Sequence, residues 1–274
     1  MSAGATRARK ERERVDRLLV ARGLAPTREK AQALILAGEV VADGAVVTSA
    51  GTLLPRDAQL TVVAPPPYVS RGGQKLAGAL AAFPIDPAGR VCADVGASTG
   101  GFTDVLLQRG AAKVYAIDVG YGQLAPTLRA DPRVVVLERT NARALHALPE
   151  PVSLVTIDVS FISLTKILPA VRHWLAPTAD IIALVKPQFE VGPRQVGKGG
   201  VVRDPQARAG AVVAVAEAAR SLGLRVRGVC PSPLPGPAGN RELFLWLATP
   251  EAPELPAVPE AARRAAEREE AVIA

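Results

Sequence analysis

Between residues 91 and 248, short apolar runs alternate with stretches of helical character: VCADV, KVYAID, VVVL, SLVTID, DIIALV, LRVRGV and LFLWLA. Runs this short and this apolar read as strands buried on both faces, with the helices between them as the cover. The pattern predicts an α/β fold, a Rossmann-like, doubly wound, mainly parallel sheet. The last pair is expected to be mixed, because ELFLWL follows the loop PSPLPGPAGNR with no helix between.

A chain of 274 residues that is 49% hydrophobic can bury one full-sized core and keep residues for a small module. That module lies in front. In VDRLLVARGLAPTREKAQALILAGEVVADGAVV, Leu18, Leu19, Ala31, Leu34 and Ile35 fall at helical spacings, the pattern breaks at Gly23, and Asp43-Gly44 makes a turn. Helix, turn, helix and small hairpin follow, a small α+β domain. Thr27 is placed to cap the second helix, leaving Arg28 and Lys30 near one exposed end. VVAPPPYVS reads as a proline-stiffened linker. The expected organisation is residues 1–63, linker 64–69, main domain 70–249, and a surface helix or tail over 250–274.

Lys and Arg number 33 against 26 Asp and Glu, and residues 1–75 alone hold 12 against 7. A basic front end admits two readings, a polyanionic partner such as RNA or a plain solvated face. Cys92 and Cys230 stand far apart in no metal-ligand spacing, which suits a reduced cytoplasmic protein. The basic N-terminus lacks a following apolar core, and no run reaches the roughly 18 apolar residues of a membrane span, so no membrane partner is expected.

In an open doubly wound sheet, ligands bind beyond the carboxyl ends of the strands. After the first strand comes DVGASTGGFT, with Gly96, Ser98, Gly100 and Gly101. A dinucleotide site needs its second glycine for close approach of the pyrophosphate, and Ser98 occupies that place, so the pyrophosphate reading weakens. S-adenosylmethionine carries no phosphate and suits an open bend with a nearby carboxylate, for which Asp94 is the candidate. Asp118, ending the next strand 24 residues beyond Asp94, is placed to accept from both ribose hydroxyls, as NAD or S-adenosylmethionine would require. Asn141, after the third strand, is placed to read an adenine edge. Glycines that serve only packing are the plainer alternative.

Four ionisable residues stand at element edges: Lys75 in SRGGQKL, Asp158 in TIDVSFIS, Lys186 in ALVKPQFE and Glu242 in GNRELFLW. A lysine closing the apolar strand DIIALV is costly unless paired or functional, and a structural ion pair is the alternative to a catalytic one. EVGPRQVGKGGVVRDP is glycine-rich and basic, which suits an RNA-facing loop or a simple connector. Arg71, beside Gly72 and Gly73, suggests close backbone approach to a phosphate.

Two resemblances sharpen these readings. RVDRLLVARGLAPTREKAQALILAGEVVADGAVV resembles the alpha-L RNA-binding domain, which implies binding of structured RNA, with Arg14, Arg28 and Lys30 among its contacts. SRGGQKL, DVGASTGGFT, DVGYGQL, DPRVVVLERTNAR, DVSFISL, LVKPQFEVG and SPLPGPAGNRE together resemble the TlyA family of haemolysin-named rRNA methyltransferases, whose catalytic domain is FtsJ-like. That resemblance implies S-adenosylmethionine-dependent methylation of a cytidine ribose 2'-hydroxyl in ribosomal RNA, by a tetrad mapping onto Lys75, Asp158, Lys186 and Glu242. Ribosomal RNA or subunits would be the partner, the chain would act as a monomer, and no metal would take part. Better studied members carry an Arg and a Trp in the linker, where this chain has Pro66 and Tyr68.

Three rivals make different demands. A cytolysin needs an apolar membrane-inserting segment. A non-catalytic ribosome-binding factor would have no need of the tetrad, and a pseudouridine synthase would need another catalytic domain.

Overall fold

The computed structural model describes residues 11–63 and 66–268. The basic extension before Glu11, the middle of the linker and the last residues of the expected tail lie outside them. The chain folds as two compact units, Met1–Pro66 and Pro67–Ala274.

In the first unit the order is β1 (Arg12–Arg14), α1 (Val15–Ala21), α2 (Arg28–Leu36), β2 (Val40–Ala42), β3 (Ala45–Val46), β4 (Leu53–Pro55) and β5 (Leu60–Val62). The helical spacing seen in the sequence turns Val15, Leu19, Ala31 and Ile35 onto one shared core with Val40 and Ala42. Thr27 caps α2, its hydroxyl oxygen accepting from the Lys30 amide at 3.2 Å. β2 pairs with β3 and β5, and β1 with β4, all antiparallel.

Beneath the helices lies a buried charge that periodicity alone does not announce. The Asp16 side chain is 0% exposed. Arg14 donates to both its oxygens at 3.0 and 2.9 Å, Arg28 donates at 2.9 Å and Gln32 at 3.1 Å. These donors, Arg14 first, hold the carboxyl well below the usual carboxylate range despite its burial. A carboxylate whose folded pKa is depressed stabilises the fold above its unfolded value of about 4 and loses that contribution as pH falls below it. Asp16→Asn is therefore expected to lower the stability of the first unit by about 2 kcal/mol at pH 7 and to flatten its acid-side loss. Thermal melts of the full chain from pH 3 to 7 check this, and an unchanged acid limb in the variant would contradict it.

The second unit contains α3 (Arg71–Ala82), β6 (Val91–Val95), α4 (Gly101–Gln108), β7 (Lys113–Ile117), α5 (Pro126–Arg129), β8 (Val134–Leu137), β9 (Val152–Ile157), α6 (Leu168–Arg172), β10 (Leu175–Val185), α7 (Pro187–Glu190), α8 (Pro205–Ser221), β11 (Arg225–Pro231), β12 (Leu243–Ala248) and α9 (Val258–Glu267). Its sheet runs β11-β12-β10-β9-β6-β7-β8. β12 is antiparallel to both neighbours and the other pairings are parallel, so the mixed end expected from the helix-free loop is present.

Alternate residues of each strand feed opposite layers. Leu154, Ile182 and Phe244 pack under Leu76, Leu80, Phe102 and Leu106 of α3 and α4. Val155, Ile181 and Leu245 pack under Val212, Val215 and Ala216 of α8. The segment after Pro250 is more than a surface tail, because Val258, Ala262, Ala265 and Ala266 of α9 are buried in that same layer. No helix among the described residues is long and apolar enough to cross a membrane. Both thiols are free, and burial pushes each up to about 12.

The path of the chain creates the crevice. From β6 it moves outward to β7 and β8, then returns to the other side of β6 as β9. The carboxyl ends of β6 and β9 thus flank a topological switch point, where such sheets take their ligands.

Candidate active site

At the switch point the turn after β6 and the loop after β9 touch. Gly96 has φ +86°, and a Cβ built there would lie 2.4 Å from the carbonyl oxygen of Asp158. Only glycine permits that approach. Ser98, also left-handed at φ +48°, sits at the tip of the turn. Its amide donates to Asp118 Oδ2 at 2.8 Å, while the Gly120 amide donates to Oδ1 at 2.7 Å. Each oxygen of Asp118 is therefore fixed by one bond and keeps a lone pair for a further donor. Gly100 is left-handed at φ +96° and packs on Leu124 and Leu128, and Gly101 opens α4 beneath the crevice.

Four elements then deliver two ion pairs. Lys75, on the first turns of α3, approaches Glu242 at the foot of β12, with Nζ 2.6 Å from Oε2. Lys186, directly after β10, places Nζ 2.7 Å from Asp158 Oδ1. Lys186 also donates to Ser160 Oγ at 2.8 Å. Both lysines are buried to 9% exposure, and Glu242 to 2%. Taking an ammonium out of water costs several kcal/mol on its own, so burial at these depths is tolerable only because each has its carboxylate.

A cavity of about 370 Å³ opens between these groups, bounded by Lys75, Asp158 and Lys186 on one side and by Gly96 to Thr99 on the other. Arg71 and Pro235 complete its rim. Glu242 stands behind Lys75.

Some expected contacts are not brought here. Asp94 is fully buried below the turn, where Thr103 and Thr156 donate to it at 2.7 and 3.0 Å. Burial pushes its carboxyl up to about 6 against the pull of those hydroxyls. It ties β6 to α4 and β9 and does not bound the cavity. Asn141 caps its own short helix, accepting from the Arg143 amide at 3.1 Å, and borders a separate cleft with Arg143, His146, Lys166 and His173. In the first unit, Arg14 and Arg28 are held by Asp16, so their expected role on RNA shares the side chain with a structural one. Lys30 is exposed.

Other groups went unnoticed in the sequence. Ser160 stands two positions beyond Asp158, a legible signal once Lys186 is known to sit opposite. Phe161 is 89% exposed at φ +64°, its ring centroid 5.1 Å from that of Phe189. Tyr121 is 67% exposed, with the Arg139 guanidinium 4.2 Å above its ring. A single aromatic in a loop carries no periodic signal, so only the fold reveals that it stays outside.

The crevice fits S-adenosylmethionine. Asp118 retains acceptors for a ribose, the turn presents open backbone, and Ser98 replaces the glycine that a pyrophosphate would need. Among the described residues no cluster of His, Cys, Asp and Glu is arranged to hold a metal. A parallel-sheet crevice with these groups and two lysine–carboxylate pairs describes an S-adenosylmethionine-dependent methyltransferase.

Residues 68–249 match the FtsJ-like methyltransferase family and residues 13–60 match the S4 domain, and the chain belongs to the FtsJ-like methyltransferase family. It is 59% identical over 242 residues to the 16S/23S rRNA (cytidine-2'-O)-methyltransferase TlyA of Mycobacterium tuberculosis (strain ATCC 25618 / H37Rv), covering 87% of this chain and 90% of that protein. Hemolysin A of Brachyspira hyodysenteriae is 44% identical over 194 residues, 70% of this chain and 81% of that one. The solved structure of a hemolysin-named protein from Streptococcus thermophilus superposes with a TM-score of 0.70 at 39% identity, covering 93% of this chain and 96% of that chain.

Proposed function

We propose that this chain transfers a methyl group from S-adenosylmethionine to the ribose 2'-hydroxyl of cytidine in ribosomal RNA. The observation that carries the reading is the convergence of the Lys186–Asp158 and Lys75–Glu242 pairs on the cavity beside the glycine turn. The high identity to an rRNA cytidine-2'-O-methyltransferase over most of both chains supports the choice of substrate.

The protein's own groups account for the work to be done. A ribose hydroxyl is a poor nucleophile near neutral pH, so its attack needs alignment with the methyl group and a place for the departing proton. When bound, S-adenosylmethionine supplies a methyl group on a sulfonium, an electrophile of high intrinsic reactivity. Gly96, Ser98, Gly101 and Asp118 are the residues that would hold it. Asp158 and Ser160 hold Lys186 Nζ at 2.7 and 2.8 Å, so that Lys186 would orient the 2'-hydroxyl and, as the free amine, accept its proton as the oxygen–methyl bond forms. Lys75 keeps Glu242 neutralised at the rear of the same wall. Arg71, which lines the cavity, would meet a flanking phosphate.

The direct test is transfer of labelled methyl from S-adenosylmethionine to separated, unmethylated small and large ribosomal subunits. Label on a cytidine ribose oxygen is expected. Cofactor binding without transfer to either subunit would overturn the substrate and favour a non-catalytic binding factor.

Exposed Phe161, three positions beyond Asp158, supports an unpaired nucleotide as the substrate's form, since an aromatic face held in solvent is a platform for a base. Phe161→Ala is expected to raise KM for the subunit about tenfold, the effect of losing one base–aromatic stack, with cofactor affinity unchanged. Steady-state kinetics and calorimetric titration of the cofactor check it, and an unchanged KM would remove Phe161 from the substrate site.

A further inference from the structure

The loop from Pro193 to Arg203 carries Arg194, Lys198 and Arg203, all exposed, and no carboxylate pairs with any of them among the described residues. Three open cations on one loop suit phosphate contacts. Two short helical turns, Pro193–Gln195 and Lys198–Gly200, give the loop its shape, and its far end is held by the buried Val202 side chain and by Arg208, which donates to the Val202 and Arg203 carbonyls at 3.4 and 2.7 Å.

A further anchor, the one that leads to the active site, comes from a different part of the chain. Asn240 is 3% exposed. Its Nδ2 donates to the Gly200 carbonyl at 2.9 Å and its Oδ1 accepts from the Val202 amide at 3.1 Å. Its own carbonyl accepts from the Gly236 amide at 2.8 Å, closing the turn that leads into Glu242. That turn is pressed against the tetrad, because a Cβ on Gly236 would lie 2.2 Å from Glu242 Oε1. Glu242 Oε1 is itself buried without a hydrogen-bond partner among the described residues, so nothing but packing fixes that side of the carboxylate. Pro235, next in the turn, borders the cavity. One amide side chain thus holds the basic loop with both of its polar ends and the wall of the active site with its backbone.

We propose that Asn240 is a positioning residue through which RNA held by the loop sets the Lys75–Glu242 pair, so that substrate contact at Lys198 acts on the chemical step as well as on binding. This rests on the reading of RNA as substrate. The two ends of an amide accept and donate in fixed directions, so a shift of Gly200 and Val202 must move Asn240, and Gly236 has no side chain to absorb the shift before it reaches Glu242.

The test is a double-mutant cycle on the full chain, with Lys198→Ala, Asn240→Ala and the two combined. Turnover at saturating ribosomal subunits, KM for the subunit, cofactor affinity and melting temperature are measured for each. Lys198→Ala is expected to lower kcat about fivefold and to raise KM. Asn240→Ala is expected to lower kcat about tenfold with cofactor affinity unchanged. In the combined variant kcat should match Asn240→Ala alone, while the KM effect of Lys198 persists. Multiplying kcat effects, or a kcat insensitive to either change, would overturn the proposal. Should Asn240→Ala melt below the assay temperature, Asn240→Asp, which keeps the acceptor for Val202 and loses the donor to Gly200, carries the same cycle. A wild-type chain that methylates neither subunit would instead refute the RNA substrate, which is a different outcome from an active enzyme with independent sites.

Discussion

Replacing Lys186 by alanine is expected to lower kcat for methyl transfer by about 10³-fold while leaving cofactor affinity within twofold. Lys186 is the point where the ends of β9 and β10 are joined, through Asp158 at 2.7 Å and Ser160 at 2.8 Å, and it lines the cavity. Alanine removes the group that aligns the hydroxyl and leaves Asp158 without its counter-ion. The cofactor side rests on different residues, the glycine turn and Asp118, tied together at 2.8 Å through the Ser98 amide. Lys186→Arg should not restore activity, because a planar fork with a longer reach cannot occupy the geometry of a compact ammonium. Single-turnover transfer to ribosomal subunits, together with cofactor titration, separates the two effects. Activity within tenfold of wild type would mean that Lys186 is only a structural ion pair.

The second large effect belongs to Lys75→Ala, which is expected to cost about 3 kcal/mol of stability as well as activity. The Glu242 side chain is 0% exposed and Lys75 is its sole ion-pair partner among the described residues, at 2.6 Å. Removing the ammonium leaves a buried carboxylate with nothing to offset its desolvation. For a unit of this size that corresponds to a fall in melting temperature of roughly 6–12 °C. Replacing both partners by apolar residues, as Lys75→Met with Glu242→Leu, should recover most of that stability, since a buried ion pair contributes little beyond a well-packed apolar pair. It should not recover methyl transfer. The double variant therefore separates folding from function: a stable but inactive protein supports a role in catalysis, and a stable, active one assigns the pair to structure alone. Calorimetric melts and transfer assays on the same preparations make the comparison.

Much of the second unit is legible in the sequence because its signals are local. VCADV, VVVL and LFLWLA are legible as strands because they are short, mainly apolar runs, and Asp158 and Lys186 follow strands because the apolar runs before them stop there. The antiparallel end of the sheet was readable from a missing helix. α9 was harder, since a stretch rich in Ala, Glu and Arg looks solvated until small side chains such as Ala262 and Ala265 are seen to let the helix settle onto the sheet.

Pairwise relations were not legible in the same way. Asp94 and Asp118 both end or approach the end of a strand next to glycines, yet one is enclosed by Thr103 and Thr156 while the other accepts from the Ser98 amide at the glycine turn. Asp94 lies within β6, in register with Ala116, whereas Asp118 stands two positions farther along, beyond the end of β7, and element edges are where sequence signals are weakest. Arg14 and Arg28 read as free cations because Asp16, their partner, looks like any acid in the first turn of a helix.

By itself the sequence determined which elements form, where a glycine turn and ionisable groups fall relative to strand ends, and that a basic module precedes the main domain, because backbone propensity and burial patterning act over a few residues at a time. Tertiary structure alone decided that Lys75 meets Glu242 across 167 positions, that Lys186 meets Asp158 and Ser160, and that Asn240 joins the basic loop to the turn beside the tetrad. Those contacts arise where separate strands and loops converge at the switch point, and a side chain's partner there is set by packing in three dimensions, which no local pattern encodes.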